Sequence, residues 1–260
     1  MKILFLGDVV GHPGRKAVKA LIPGLVSEHG VALVVANVEN AAGGVGVTPD
    51  IVDELLDAGV HVMTSGNHVW DKKEVLDVMG FEPRLLRPWN YPSGNPGRGM
   101  VVVKTDGGVK VGVINVEGNV FMRPKSCPFQ AVREALEAVR QEARVVIIDV
   151  HAEATSEKKA MGWYCDGKAS LVVGTHTHVQ TSDERILPRG TAYLTDAGMT
   201  GPHDSVIGVK KEIVIERFIS GMPRRFEPAT DGIRLQGALV EVDPETGRAI
   251  AIRRVDEPLP

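Results

Sequence analysis

Cysteine is nearly absent from this chain: Cys127 and Cys165 are the two thiols in 260 residues. That excludes a disulfide-stapled framework. Aromatic residues are also scarce, at 5% against 43% hydrophobic overall, so any core must be mostly aliphatic. No apolar run approaches the ~18 residues a membrane span needs, and the run in MKILFLGDVVG is too short for the hydrophobic region of a secretory signal. A reducing cytoplasm is the expected location. Charge of one sign is not in excess either. Lys and Arg total 30 and Asp and Glu 33, a net charge of −3, which argues against nucleic-acid binding driven by overall charge. Arg224-Arg225 and Arg253-Arg254 leave local basic patches open. Internal repeats, low-complexity stretches and linkers are lacking, so residues 1–260 read as a single α/β domain.

What is present is an alternation of short apolar runs and helical patterns. Ile3–Leu6, Ala32–Val38 and Val60–Thr64 read as strands. Between them, Val18, Leu21, Ile22, Leu25 and Val26 fall on one face of a helix over Pro13–Ser27, which Pro23 is expected to kink or end. Thr48-Pro49 starts a second helix, Ile51–Ala58. Lys72–Met79 reads as a third helix, and 83–99, with four prolines, as a long irregular connection. Met100–Lys104 and Val109–Val116 flank the turn Asp106-Gly107-Gly108 as a hairpin. Phe129–Glu142 is helical. Val145–Val150 and Leu171–Val173 are strands around a helix near Ser156–Met161, and strand-like runs follow Gly190. The βαβαβ order of the first part gives parallel strands, and the later hairpins make the sheet mixed.

Five of the apolar runs finish alike. ILFLGD ends on Asp8, LVVANVEN on Glu39 and Asn40, and VHVMTSGNH on Asn67 and His68. VVIIDVH ends on His151, and LVVGTHTH on His176 and His178. Singly, such residues are turn formers, caps or satisfied core histidines. In open α/β sheets, however, ligands bind outside the carboxyl ends of the strands. Five endings bearing oxygen or nitrogen donors therefore point to one metal-binding crevice. The donors are hard or borderline, without thiolate, which suits Mn, Fe or Zn and not copper(I).

Asp8 in GD, the acidic ending at 39–40, the GNH of 66–68, His151 and the GTHTH of 174–178 resemble the calcineurin-like metallophosphoesterases over about two-thirds of the chain. The chain departs from that pattern where the usual DxH motif is Asp8-Val9-Val10, and where the usual bridging aspartate is Glu39 beside Asn40. With Asn67-His68-Val69-Trp70-Asp71, these departures resemble the bacterial YmdB-type phosphodiesterases, which hydrolyse 2′,3′-cyclic nucleotides. The resemblance implies a four-layer αββα sandwich with mixed sheets and a site for two metal ions, Fe or Mn foremost. It implies Asp8, Glu39, Asn40 and His178 on one ion, and Glu39, Asn67, His151 and His176 on the other, provided 176–178 leaves its strand as a turn.

A carboxylate with two oxygens can bridge two cations, and a bridging hydroxide can attack phosphorus. His68 would then protonate the leaving oxygen as general acid, with Asp71 as its candidate partner. Substrate contacts are expected from Gly43 and Gly201, in glycine-bearing segments near strand ends, and from His203. Trp70, Trp89, Trp163 and Tyr164 are candidates for stacking a base. Two other functions stay open: a phosphomonoesterase or protein phosphatase, and an RNA-interacting protein with vestigial hydrolysis. A homo-oligomer is compatible with the sequence.

Overall fold

The structure is a computed structural model describing residues 1–123 and 125–260. In chain order the first half comprises β1 (Lys2–Leu6), β2 (Asp8–Val9), α1 (Gly11–His29), β3 (Val31–Asn37), α2 (Pro49–Asp57), β4 (Val62–Thr64), α3 (Leu76–Met79), β5 (Met100–Lys104), β6 (Lys110–Glu117) and α4 (Pro128–Val139). The second half adds β7 (Val145–His151), α5 (Thr155–Cys165), β8 (Leu171–Thr175), β9 (Arg185–Ile186), β10 (Ala192–Leu194), β11 (Met199–Pro202), α6 (Lys211–Ser220), β12 (Ile233–Val242) and β13 (Ala249–Pro258).

The strands form two mixed sheets. One runs β2-β11-β12-β1-β3-β4, with β13 also paired to β12; the other runs β5-β6-β7-β8-β10-β9. Strand alternation assigns every face. In β1, Ile3 and Phe5 point to one side, and Leu4 and Leu6 to the other; in β3, Leu33 and Val35 oppose Val34 and Ala36. Ile3, Phe5, Leu33 and Val35 meet Val111, Val113, Val145 and Ile147 of the second sheet in one apolar cluster. Leu4, Leu6, Val34 and Ala36 pack instead on Val18, Ile22, Val52 and Leu55 of α1 and α2. Val146, Ile148 and Val150 pack on Val132, Leu136 and Met161 of α4 and α5. The layers are therefore helix, sheet, sheet, helix, as the resemblance implied. Each fully buried aliphatic or Phe side chain contributes about 1.5–3 kcal/mol, so a core with few aromatics is sufficient.

Three expectations are corrected. Helix α1 neither breaks at Pro23 nor stops at Ser27; it ends at Gly30, whose φ of 64° is left-handed and whose N–H bonds Val26 O. Pro23 forgoes one backbone donor, and buried Ile22 and Leu25 on either side keep the helix on the sheet. The expected helix over 72–79 is a 3-10 turn, Lys73–Val75, followed by the single turn of α3. The region after Gly190 is not all strand: KEIVIERFIS is α6. Its β-branched residues resemble a strand in composition, yet only Val214 of the helix is buried. Among the described residues no helix is long and apolar enough to cross a membrane.

Candidate metal centre

Register brings the strand ends together. β1, β3 and β4 run parallel in the first sheet, and β6, β7 and β8 in the second, where Glu117 lies opposite His151 and His151 opposite Thr175. Their carboxyl ends open on a common crevice. Asp8, Glu39, Asn40 and His151 are buried there; Asn67, His68, His176 and His178 are half-buried.

The donors fall into two touching groups. Glu39 Oε1 lies 3.1 Å from His151 Nε2, which is also 3.1 Å from His176 Nδ1 and from Asn67 Oδ1. Single donor atoms of Glu39, His151 and His176 all lie within 4.8 Å of one another. In the other group, the Asn40 carboxamide is 3.0 Å from His178 Nε2, itself 3.8 Å from Asp8 Oδ1. His176 and His178 have φ of 98° and 61°. Segment 176–178 therefore leaves β8 as a left-handed turn, the condition under which the two imidazoles serve different groups.

Electrostatics mark the crevice as a place for positive charge. Burial raises the Asp8 carboxyl, against the pull of His178 and His151. Burial also acts to raise Glu39, but the His151 imidazolium and the N–H of His68, which donates to Glu39 Oε2 at 2.9 Å, bring it down to about 2. Burial would neutralise His151; Glu39, Asp8 and Asp149 outweigh it and lift the imidazole to about 9. Burial and then repulsion by His151 push His176 down to about 3, so it is a neutral donor at neutral pH. Among the described residues Asp8 Oδ1 finds no hydrogen-bond partner, although it is buried. A buried carboxylate oxygen left unpaired is costly, and its orphaning amid O and N donors fits a bound cation.

A surrounding layer of groups orients these donors. Asp149 Oδ1 accepts from Thr175 Oγ1 at 2.7 Å, and Thr175 Oγ1 lies 2.9 Å from His151 Nδ1. With that hydroxyl committed to Asp149, the oxygen accepts Nδ1–H, so Nε2 is the ring nitrogen that faces the centre. Thr64 and Asn37 donate to Asp149 Oδ2. The turn at 176–178 is clamped by Asp196, whose Oδ2 accepts from the Thr177 hydroxyl at 2.7 Å and from buried Lys158 Nζ at 2.6 Å. Gly66 passes against the flat of His151: a Cβ there would overlap the ring. Gly66→Ala is accordingly expected to displace His151 and lower kcat roughly 10²-fold, with a matching drop in bound metal by elemental analysis; unchanged kcat and metal content would refute the contact.

His68 stands at the mouth, with Nδ1 2.7 Å from Asp71 Oδ2. A cleft of about 620 Å³ extends from it, lined by the polar Glu39, Asn40, His68, His176 and His178, by Gly43, and by the apolar Val10, Val45, Ile207, Phe226 and Pro228. Of the expected substrate contacts, Gly43 lines this cleft. Gly201 does not: it is buried within β11, paired with Arg234. His203 lines a neighbouring cleft with His178 and Arg254, its Nε2 3.0 Å from Met199 O. The aromatic candidates also lie elsewhere. Trp70 packs near Tyr91, Tyr164 on Phe129, and Trp163 under Arg185, while Trp89 borders the α4–α5 core.

Sequence reading passed over Asp149, Asp196, Glu117 and Phe226. The first three carry a signal: VVIIDVH holds a carboxylate inside an apolar run, and AYLTD and VINVE end on an oxygen donor, as the five runs counted end on oxygen or nitrogen donors.

Two layers of mixed sheet between helices, with N and O donors from five strand ends converging between them, define a calcineurin-like metallophosphoesterase fold. A protein from Mycoplasma pneumoniae, solved as a novel phosphatase, superposes with a TM-score of 0.93 at 36% identity, covering 99% of this chain and 93% of that one. The crystal structure of a hypothetical protein from Thermus thermophilus superposes at 0.94, with 42% identity over the whole of both chains. The 2′,3′-cyclic-nucleotide 2′-phosphodiesterase of Bacillus subtilis (strain 168) is 47% identical over 255 residues, 98% of this chain and 96% of that one. Residues 4–255 match the family described as YmdB-like protein, and the chain belongs to that family.

Proposed function

We propose that the chain is a dinuclear-metal-dependent phosphodiesterase acting on cyclic nucleotides, with 2′,3′-cyclic nucleoside monophosphates as best substrates. One observation carries this reading: Asp8, Glu39, His151, His176 and His178, from both sheets, crowd one crevice in which a buried carboxylate oxygen has no hydrogen-bond partner among the described residues. The likeness to the Bacillus subtilis 2′,3′-cyclic-nucleotide 2′-phosphodiesterase supports the choice of substrate. Asp8, Glu39, Asn40 and His178 would hold one ion, and Glu39, Asn67, His151 and His176 the other; Fe or Mn suits the donors, and Zn also fits. Two such ions, when bound, neutralise phosphate oxygens and acidify a water towards pKa ~7.

The chain's own part is to hold, orient and exclude. Glu39 joins the two donor groups. Asp149 and Thr175 fix the His151 tautomer, and Asp196 fixes the turn bearing His176 and His178. Asp71 accepts from His68 Nδ1, which leaves Nε2 to donate a proton to the leaving 2′ or 3′ oxygen. The 260 residues work as one domain, because β12 and β13 near the end of the chain complete the sheet that carries Asp8. The partner is a small cyclic phosphoester, met in the cytoplasm.

A phosphomonoesterase would use the same donors, and the Mycoplasma pneumoniae phosphatase is the relative that favours that second reading. A panel of 2′,3′-cyclic AMP, 3′,5′-cyclic AMP and p-nitrophenyl phosphate, run alongside elemental analysis, separates the two. The expected result is two metal ions per chain and the highest kcat/KM on 2′,3′-cyclic AMP. Faster turnover of p-nitrophenyl phosphate than of either cyclic nucleotide would replace the phosphodiesterase reading by the second one.

A further inference from the structure

The cleft is lined by two chemically distinct sets of side chains, and only the polar set is explained by metal binding and proton transfer. The other set comprises Val10, Val45, Ile207, Val209 and Pro228 with the ring of Phe226. Phe226 is 44% exposed and belongs to none of the three core clusters, so it is not a packing residue. Among the described residues lining the cleft it is the sole aromatic ring other than the imidazoles. The backbone just after it is pinned to the 208–210 segment: Lys210 N–H donates to Glu227 O at 3.0 Å, and Ala229 N–H to Gly208 O at 2.9 Å. The Arg217 guanidinium sits 4.8 Å from the ring centroid. It covers one face of the ring as a cation on a π surface. A ring held in place, backed by a guanidinium and bordering the cleft is suited to a flat partner on its other face.

We infer that Phe226 is a nucleobase platform, a specificity-determining residue that requires a base without choosing which base. The inference rests on the cyclic-nucleotide reading above, and adds to it how the rest of the nucleotide is held. In a 2′,3′-cyclic nucleotide the base and the phosphate are borne by one sugar, so phosphate held by the polar lining keeps the base within the same cleft, where the apolar lining can receive it. Stacking on an aromatic ring tolerates every base, because each has a π face. Reading a base edge needs hydrogen-bonding side chains, and Val10, Val45, Ile207 and Pro228 offer none. Glu227, beside Phe226 in sequence, has its carboxylate engaged by Lys210 Nζ at 2.6 Å. Discrimination is thus between nucleotides and phosphoesters without a base.

The test compares wild type, Phe226→Ala and Phe226→Trp on 2′,3′-cyclic AMP and on methyl ribofuranoside 2,3-cyclic phosphate, which keeps the sugar and phosphate but lacks the base. Phe226→Ala is expected to raise KM for 2′,3′-cyclic AMP roughly tenfold or more. Its kcat should stay within about a factor of two, the signature of lost uniform binding. The base-less substrate should show no change, and Phe226→Trp should keep the wild-type KM for 2′,3′-cyclic AMP. An unchanged KM for 2′,3′-cyclic AMP in Phe226→Ala, or an equal rise for both substrates, overturns the platform while wild-type turnover of both leaves the phosphodiesterase reading intact. Wild type inert towards both substrates overturns that reading and the platform with it. Circular dichroism of the alanine variant serves as the folding control, and a side chain outside the core predicts an unchanged spectrum.

Discussion

Glu39→Gln is expected to fold normally, to carry less than one metal ion per chain, and to lose at least roughly 10³-fold in kcat/KM. The substitution is nearly isosteric. The remaining carbonyl oxygen can still accept the His68 N–H now bound to Glu39 Oε2, so the loop after β4 keeps its anchor. What disappears is a buried negative charge and one of two equivalent oxygens. Glu39 Oε1 faces His151 Nε2 at 3.1 Å, and Asn40, the next residue, faces His178. The side chain therefore stands where the two donor groups meet, its Oε1 also 3.4 Å from the Asn40 carboxamide nitrogen. Metal content by elemental analysis, a thermal melt and kcat/KM on 2′,3′-cyclic AMP check the three parts. Two ions retained with full turnover would remove Glu39 from the bridging position.

His68→Ala separates proton transfer from ion binding. The variant is expected to keep the wild-type metal content and to lose roughly 10²-fold or more in kcat on 2′,3′-cyclic AMP. His68 touches the site through its backbone N–H, which alanine retains, while its imidazole is paired with Asp71 rather than with another donor. The leaving group supplies a second readout. A ribose oxygen departs as a poor leaving group and needs a proton; a p-nitrophenolate does not. The loss should therefore shrink to a small factor on bis(p-nitrophenyl) phosphate, if His68 is the acid. An equal loss on both esters would make His68 a structural residue, and loss of metal would make it a ligand.

The sequence made the crevice legible because its rule is local. A strand is an apolar run, its carboxyl end is the next polar residue, and parallel strands bring those residues to one edge. Asp8, Glu39, Asn67, His151 and His176 were all found this way. The same rule extends to Asp196 and Glu117, and both are buried at the ends of their runs. What it could not deliver is anything set by long-range packing. Phe226 lies in a segment without periodicity and reaches the cleft because Pro228 bridges to Val209. Gly201 stands close to a strand end in sequence, yet pairing with β12 turns it inward. Helix α6 carries strand-like composition, and Phe218 and Ile219 remain 82% exposed, so no burial pattern announced it.

The left-handed turn at the end of β8 ties durability to chemistry. A residue with a Cβ held at such a φ costs on the order of 1 kcal/mol or more relative to glycine, and here two such residues, His176 and His178, lie within a single three-residue segment. Relaxing the backbone there would harden the protein, yet the proposed metal assignment needs an imidazole at both positions. On that assignment heat tolerance and turnover compete for the same short stretch of the chain.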